Sequence, residues 1–356
     1  MRDETDRSSG RPLVVVTGAT GFLGSRVRHQ LAAKFDVLAV DLVRATDARA
    51  SERWCVGDVT EPRFIERFFS AIERPLSGLV HLAWSYDFSN RPHRRYDAAI
   101  DGMAPLVEAF SAAAHPDAPF VFASSMAAVA PTEPGKRLTP ASPSSEAWQY
   151  PRSKARAERA LRAKRIGQPR IELVLAGIYS DFCELVPLYQ AIERIRGGSF
   201  QRWFFPGRTD RGLTYVHVDD AASAVVAALR ARYQERDRVH RFLVGEPEPV
   251  TNQTIFDATS KAFGRARVPK VRVPRWLAVF GAWVANVIGD GYFVQPWMIP
   301  FAEEHFAFDL SETETRLHWQ SKVRLTEFLP TMLANARHSP EAWKQRNERR
   351  PWRAIE

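Results

Sequence analysis

The chain has 356 residues, enough for one large or two modest domains, and its apolar and charged fractions are ordinary for a globular protein. Its Lys and Arg residues exceed its Asp and Glu residues by 9, but the arginines are spread over several stretches. Because the sequence shows neither one contiguous basic patch nor a motif that contacts nucleic-acid bases, nucleic-acid binding is not expected. The two cysteines, Cys55 and Cys183, exclude a disulfide framework and fit a reducing, cytoplasmic compartment.

Neither cysteine has a partner at metal-ligand spacing, so no metal site is expected. The polar, mixed-charge N-terminus lacks the apolar segment of a signal peptide and is predicted to be a short disordered arm.

The first half of the chain alternates apolar strands with helical patterns. Strands are predicted at residues 13–16, 37–40, 79–82, 120–122 and 173–176, with helices at 22–33, 63–72, 96–113 and 147–164. This alternation predicts an α/β fold, a doubly wound parallel Rossmann sheet that binds ligands at the carboxyl ends of its strands. Further strands at 215–218 and 241–244, with a helix at 221–232 between them, are expected to rejoin the same sheet.

The rest of the chain is less regular and richer in Trp, Phe and Pro. We expect a Rossmann domain at residues 11–181 plus 212–245, a smaller lobe over its ligand edge at 182–211 plus 246–336, and terminal arms at 1–10 and 337–356. The longest apolar segment, 276–288, is shorter than the ~20 residues that span a bilayer. We expect it to be a buried helix of the lobe; peripheral contact with a membrane or an apolar substrate wall are the alternatives.

The segment from Thr17 to Gly24 gives the clearest functional signal, because its glycines lie between a predicted strand and a predicted helix. Gly18 permits a tight turn, Gly21 lets the backbone approach a pyrophosphate, and Gly24 lets the helix pack close to the strand. The helix that follows points unpaired N–H groups at the phosphates. The predicted cofactor contacts here are Gly18, Thr20, Gly21, Phe22, Leu23 and Gly24. A glycine loop without a ligand is the alternative.

Carboxylates end the next two strands. Asp41 is positioned to accept hydrogen bonds from ribose hydroxyls and to repel a 2′-phosphate, which favours NAD, although the nearby Arg44 leaves NADP open. Asp58, followed by Val59, is placed to meet the adenine or, alternatively, to stabilise a helix N-terminus. After the fourth strand, Leu82, Ala83 and Trp84 are further predicted cofactor contacts; His81 is interpreted as a packed histidine.

A second signal is the pair Tyr150 and Lys154. Positions i and i+4 share a helix face, so the ammonium is expected to lie beside the phenol and to lower its pKa toward the range useful for proton transfer. Upstream, Ser124 and Ser125 end the fifth strand at the same ligand edge, where Ser124 is a predicted cofactor contact. Pro151 is compatible with the helix if Tyr150 lies in its first turn. A strand-end serine with a Tyr/Lys helix, after a glycine fingerprint, predicts a catalytic site.

Together these motifs resemble the extended short-chain dehydrogenases/reductases, the group of NAD-dependent epimerases, dehydratases and hydroxysteroid dehydrogenases. The resemblance covers residues 11–334 and includes the segments 17–24, 81–84, 124–125, 150–154, 176–179 and 215–220. It implies that Tyr150 is the acid/base, that Lys154 holds the nicotinamide ribose, and that Ser125, or alternatively Ser124, positions the reacting oxygen. It also implies a cofactor contact at Ile178 and a homodimer formed by helices 96–113 and 147–164.

The segment from His217 to Asp220 is expected, by the same resemblance, to start a helix and brace the sheet. Four residues at three sites depart from the family pattern in ways that bear on the substrate. Met126 and Ala127 replace the Asp-Glu pair of sugar dehydratases, Leu213 replaces an arginine that holds diphosphate (Arg211 lies nearby), and Ala99 replaces an asparagine of the proton relay. The change at 126–127 leaves no acid or base for water elimination. Leu213 departs from the pattern of nucleotide-sugar epimerases, and Ala99 requires a water chain or a different donor in the proton relay.

The leading hypothesis is an NAD-dependent oxidoreductase acting on a small-molecule secondary alcohol or ketone. The alternatives are a sugar or nucleotide-sugar epimerase with retained NAD and a non-catalytic NAD-binding regulator, whose expected signature, loss of the Tyr/Lys pair, is absent from this sequence.

Overall fold

The computed structural model describes residues 10–49, 52–87, 90–197, 204–206, 208–265, 271–288 and 296–347. The predicted N-terminal arm lies outside these residues, apart from its last residue. The strands are β1 (Leu13–Thr17), β2 (Asp36–Asp41), β3 (Arg53–Val56), β4 (Gly78–His81), β5 (Phe120–Ser125), β6 (Arg170–Leu175), β7 (Gly177–Tyr179), β8 (Phe204–Pro206), β9 (Gly212–Leu213), β10 (Tyr215–His217), β11 (Val239–Val244), β12 (Val250–Thr251) and β13 (Val271–Val273).

Helices connect most of these strands. They are α1 (Phe22–Leu31), α2 (Pro62–Ser70), α3 (Arg94–Ala113), α4 (Gln149–Ala163), α5 (Val186–Arg196), α6 (Val218–Arg230), α7 (Asn252–Ala262), α8 (Arg275–Ile288), α9 (Ser311–Leu317), α10 (Leu325–His338) and α11 (Pro340–Asn347). Two 3-10 segments, Met126–Ala128 and Pro296–Glu303, complete the helical elements that bear on the site.

Seven strands of the described chain form one parallel sheet in the order β11-β6-β5-β4-β1-β2-β3. The central strand β1 is buried along its whole length, as its run of valines predicts. One core layer joins the sheet to α1 and α6, and the other joins it to α2, α3 and α4. The predicted doubly wound Rossmann fold is therefore confirmed.

One strand prediction is wrong. β11 joins the main sheet beside β6, as expected, but β10 pairs in parallel with the short strand β7 instead. The reason is that β5 and β11 already occupy both edges of β6, so β10 can pair only where the chain continues past Ala176 into β7.

The C-terminal part of the chain has a core of its own, built from side chains of α5, α7, α10 and α11 together with β7 and β10. The end of the chain is not a free arm as far as residue 347, because Trp343 of α11 is fully buried and its Nε1 donates a hydrogen bond to Glu193 at 2.8 Å. The predicted domain boundaries stay a prediction.

The expectation for the apolar segment is also wrong. In α8 the side chains of Trp276, Phe280 and Trp283 are 71%, 56% and 55% exposed, and Ala282 is buried. Among the described elements, the helix contacts mainly the Pro296–Glu303 segment. Among the described helices, none combines the length and the apolarity needed to cross a membrane.

Candidate active site

The glycine turn between β1 and α1 is packed so tightly that side chains would not fit. Gly18 has φ +70°, and a Cβ there would lie 2.6 Å from the backbone N of Ala83. A Cβ on Gly24 would lie 2.0 Å from the carbonyl oxygen of Gly18. The turn is thus pressed between the chain after β4 and the first turn of α1, as the sequence predicts.

The N-terminus of α1 is left open for an anion. Gly21 provides no side-chain cap, and the first turn holds no acidic residue. A Cβ on Gly21 would meet only Gly18 O at 3.1 Å, so the turn is otherwise open on that side. Unpaired backbone N–H groups and the positive end of the helix dipole meet at this point, which fits the pyrophosphate of a dinucleotide.

Asp41 lies at the carboxyl end of β2, directly beside this turn. Its Oδ2 accepts hydrogen bonds from Thr20 N at 2.8 Å and Thr20 Oγ1 at 2.7 Å, and its Oδ1 accepts one from Leu42 N at 2.7 Å. The carboxylate is therefore fixed next to the glycine turn, where it fits an adenosine ribose. The turn residues Phe22 and Leu23 are 38% exposed and half-buried, respectively.

Asp58 is engaged in a local turn, since its Oδ1 accepts from both Thr60 N and Thr60 Oγ1 at 2.8 Å. It stands just before Glu61, the residue that precedes α2. This contact matches the alternative in which Asp58 stabilises a helix N-terminus. The same carboxylate could also contact the adenine, because the two roles are compatible. Val59 beside it is buried.

The two serines at the end of β5 have different partners. Ser124 is buried, and its hydroxyl donates to the carboxylate of Glu158 inside the protein. Ser125 is half-buried, and its Oγ accepts from Ala127 N at 3.2 Å while it also contacts the phenol of Tyr150. The geometry therefore assigns the position beside the phenol to Ser125.

Tyr150 lies in the first turn of α4, where Pro151 is tolerated as predicted. Its ring is 5.0 Å from that of Tyr86 and 5.6 Å from that of Trp148, centroid to centroid. Burial raises the pKa of the Tyr150 phenol to about 12, and the hydrogen bond with Ser125 acts in the opposite direction. The sequence predicts a lowered pKa for this phenol, whereas burial in the structure makes the net shift upward.

The amine of Lys154 is buried as well. Its Nζ donates to the carbonyl oxygen of Ala123 at 2.7 Å and lies 4.5 Å and 4.8 Å from the ring centroids of Trp84 and Phe122. Burial lowers the pKa of this amine to about 7, and the Glu158 carboxylate acts in the opposite direction. The pair that the sequence expects to be charged is thus held toward its neutral forms by burial.

His81 has a structural role, as its sequence context predicts. Its Nδ1 shares a hydrogen bond with Thr17 Oγ1 at 2.8 Å, and burial lowers its pKa to about 3. In α6, Asp220 accepts from the backbone N of Lys322 and of Val323 at 2.8 Å, which braces the sheet against the chain after α9.

The remaining predicted contacts lie along the same edge or near it. Leu82, Ala83, Trp84 and Ile178 are all half-buried. Among the described residues, no group of His, Cys, Asp and Glu is arranged to hold a metal ion.

Sequence reasoning did not assign the aromatic wall beside Tyr150. Trp148 packs against Trp297 at 5.0 Å and Phe301 at 6.4 Å between ring centroids. These rings come from the residue before α4 and from the Pro296–Glu303 segment, which are far apart in the chain. Two aromatics at positions 148 and 150 give only a weak local signal for such a wall.

Comparison with known proteins places these features in a family. The model described as the NAD dependent epimerase/dehydratase family matches residues 14–245, which is more than half of the chain. The chain belongs to this family. That membership confirms the predicted resemblance and the prediction that the protein is an enzyme. It also confirms NAD as the cofactor, which the glycine turn, the open α1 N-terminus and Asp41 fit.

Solved structures with this fold resemble the protein over nearly its whole length. UDP-glucose 4-epimerase from Thermotoga maritima, solved with UDP-glucose, has a TM-score of 0.68 and 20% identity, covering 92% of this chain and 100% of that one. dTDP-glucose 4,6-dehydratase from Bacillus anthracis, solved with NAD, has a TM-score of 0.68 and 17% identity, covering 94% and 99%. UDP-glucose 4-epimerase from Thermus thermophilus, solved with NAD, has a TM-score of 0.67 and 20% identity, covering 92% and 99%. At these identities the likeness establishes the fold. No curated protein matches the chain by sequence.

Proposed function

We propose that this family member is an NAD-dependent oxidoreductase that interconverts a secondary alcohol and a ketone at Ser125, Tyr150 and Lys154. The observation that carries the proposal is the contact between the Tyr150 phenol and Ser125, with the Lys154 amine one helical turn away. These groups lie at the carboxyl edge of the sheet, as does the glycine turn, where a dinucleotide fits.

Each residue has a distinct task in this proposal. NAD, when bound, supplies the hydride acceptor or donor. Ser125 donates a hydrogen bond that orients the reacting oxygen, and Tyr150 takes or returns the hydroxyl proton. Lys154 in its ammonium form stabilises the phenolate, which opposes the upward shift that burial imposes on the pKa of Tyr150.

The surroundings of Tyr150 favour a substrate with an apolar or ring-shaped face. Tyr86 and Trp148 flank the phenol, and Trp297 and Phe301 extend the wall. Aromatic rings of this kind bury apolar area and stack on flat groups. Because Met126 and Ala127 follow the serine, the chain offers no carboxylate there for elimination of water.

A second candidate is a nucleotide-sugar epimerase with retained NAD, and Arg211 is the observation that favours it. Its side chain is 11% exposed and pairs with Glu133 at 2.6 Å. Its Nε is buried without a hydrogen-bond partner among the described residues. A buried guanidinium with an unused donor suits a diphosphate, and the similar epimerase from Thermotoga maritima was solved with UDP-glucose.

Nicotinamide absorbance distinguishes these candidates. The protein is incubated with NAD and an alcohol panel, and with NADH and a ketone panel; net absorbance change supports the oxidoreductase. Epimerised nucleotide sugar without accumulation of NADH supports the second candidate. Binding of NADH with no turnover of any substrate supports a non-catalytic regulator and contradicts both.

Variants at the site give the residue-level test. Tyr150→Phe is expected to bind NADH normally and to lose about 10²- to 10⁴-fold in turnover. Ser125→Ala is expected to lose turnover as well, whereas the neighbouring Ser124→Ala is the matched control, expected to lose mainly stability because its partner is the buried Glu158. Full turnover by Tyr150→Phe would contradict the proposed acid/base. The predicted homodimer through α3 and α4 is tested separately, by light scattering.

A further inference from the structure

The exposed aromatic face of α8 is a feature that the proposed chemistry does not use. Trp276, Phe280 and Trp283 follow one another at spacings of four and three residues, which places them on one side of a helix. Leu277 beside them is 43% exposed, and the rings of Phe280 and Trp283 stack with centroids 6.1 Å apart. Contiguous exposed apolar surface of this kind marks an interaction site.

The sequence leading into this helix is strongly basic. Residues 258–289 contain six Lys and Arg and no Asp or Glu. Four of these cations fall at positions 265, 267, 270 and 272, and Arg275 begins α8 itself. The occupant of the aromatic face therefore faces a local excess of positive charge, which selects an anionic surface.

The length of α8 decides how it meets such a surface. Its 14 residues span about 21 Å, less than the ~30 Å hydrocarbon core of a bilayer. A short helix with Trp and Phe on one side, adjoining a cationic segment, suits the plane between lipid headgroups and acyl chains. A second copy of this chain is less suitable as the occupant, because two copies would bring the same basic segments together.

The helix is also connected to the candidate active site. α8 packs against the Pro296–Glu303 segment, and Trp297 and Phe301 of that segment pack against Trp148 beside Tyr150. A surface that covers α8 would therefore lie next to the aromatic wall of the site.

We propose that α8 docks the protein on anionic lipid membranes, with its aromatic face in the interface and with the excess of Lys and Arg in the sequence before the helix as the source of its preference for anionic headgroups. The proposal does not depend on the reaction that the site performs. In this proposal α8 does not cross the bilayer, and its binding to the membrane is reversible.

Vesicle co-sedimentation tests the proposal. The full chain is mixed with large vesicles of phosphatidylcholine alone or of phosphatidylcholine with phosphatidylglycerol. We expect binding to the anionic vesicles that weakens with added salt, and a blue shift of tryptophan emission on binding. Binding to neither vesicle, or equal binding to both, would overturn the proposal.

Two variants and a control locate the contact. Trp276→Ser with Phe280→Ser is expected to abolish the bound fraction, and Arg272→Gln with Arg275→Gln to weaken binding roughly fivefold per removed charge. The control removes two exposed arginines between α6 and β11, Arg236 and Arg238, and is expected to bind like the parent.

Folding and assembly are checked on the same samples. Thermal unfolding and NADH binding confirm that each variant is folded; if the double aromatic variant is not, the single change Trp276→Ser, at a side chain 71% exposed, takes its place. Unchanged vesicle binding by the folded variants contradicts the proposal. If light scattering gives the aromatic variants a lower molar mass than the parent while their vesicle binding is unchanged, a second copy of the chain is the occupant. That result overturns the proposal as well.

Discussion

Gly18→Ala tests whether the glycine turn is held as tightly as the structure indicates. At φ +70° an alanine is in the left-handed region, which costs about 1–2 kcal/mol. Its Cβ would also meet Ala83 N at 2.6 Å and Leu82 C at 2.7 Å, which are backbone atoms that cannot turn aside. Overpacking of this kind costs about 1–3 kcal/mol. The expected loss in the free energy of unfolding is therefore about 2–5 kcal/mol.

Gly264→Ala is the matched control. Its φ of +67° is almost the same, but a Cβ there would meet nothing within 4 Å. This variant should lose only the conformational part, about 1–2 kcal/mol. The two variants should therefore differ in their loss of unfolding free energy. That difference is the cost of pushing the glycine turn away from the chain after β4.

Urea unfolding measures the free energies, and NADH fluorescence titration measures cofactor affinity on the same samples. We expect Gly18→Ala to lose NADH binding along with stability, whereas Gly264→Ala binds normally. Equal destabilisation of both variants would refute the close packing at Gly18. Loss of stability with unchanged NADH affinity would refute the assignment of the turn to the dinucleotide.

Two further predictions concern carboxylates. Asp41→Asn removes the charge from the carboxylate that is fixed beside Thr20, so NADH affinity should fall about 10- to 100-fold. The ratio of NADH affinity to NADPH affinity should fall as well. Paired titrations with the two cofactors measure this ratio, and an unchanged ratio contradicts the ribose assignment. Burial raises the pKa of Glu304 from 4.5 to about 8, so the folded protein keeps a proton that the unfolded chain has lost. Stability should therefore fall as pH rises across that window, by at most about 1.4 kcal/mol per pH unit, and the slope should flatten in Glu304→Gln. Urea unfolding at several pH values measures both slopes, and equal slopes contradict the assignment.

Local patterns carried most of what the sequence could predict. The strand, glycine turn and helix from residue 13 to residue 31 are specified by neighbouring residues, and so is the helical spacing of Tyr150 and Lys154. Each boundary that was predicted in the first half of the chain falls within a few residues of its observed position, because caps, prolines and apolar periodicity are local signals.

The predictions that were wrong concern features that depend on contacts between distant parts of the chain. β10 has the composition of a buried strand, but β5 and β11 occupy both edges of β6, so β10 pairs with β7. The apolar composition of α8 indicates burial, yet the side chains of Trp276, Phe280 and Trp283 are more than half exposed. Composition reports the tendency of a segment, whereas the tertiary structure decides whether a partner is present.

The protonation of Lys154 is the clearest case of a site property set by tertiary contacts, and it yields a last prediction. Trp84 and Phe122, from two other segments of the sheet, enclose the amine, and burial lowers its pKa to about 7. An anion bound nearby favours the ammonium form, so NADH binding should take up a proton when Lys154 is neutral. NADH affinity should then rise as pH falls through about 7. Lys154→Met, which keeps an apolar side chain of similar length, should bind NADH more weakly and without this pH dependence. If the variant keeps the same dependence in a fluorescence titration, another group is the proton acceptor, and the buried amine is not linked to the cofactor.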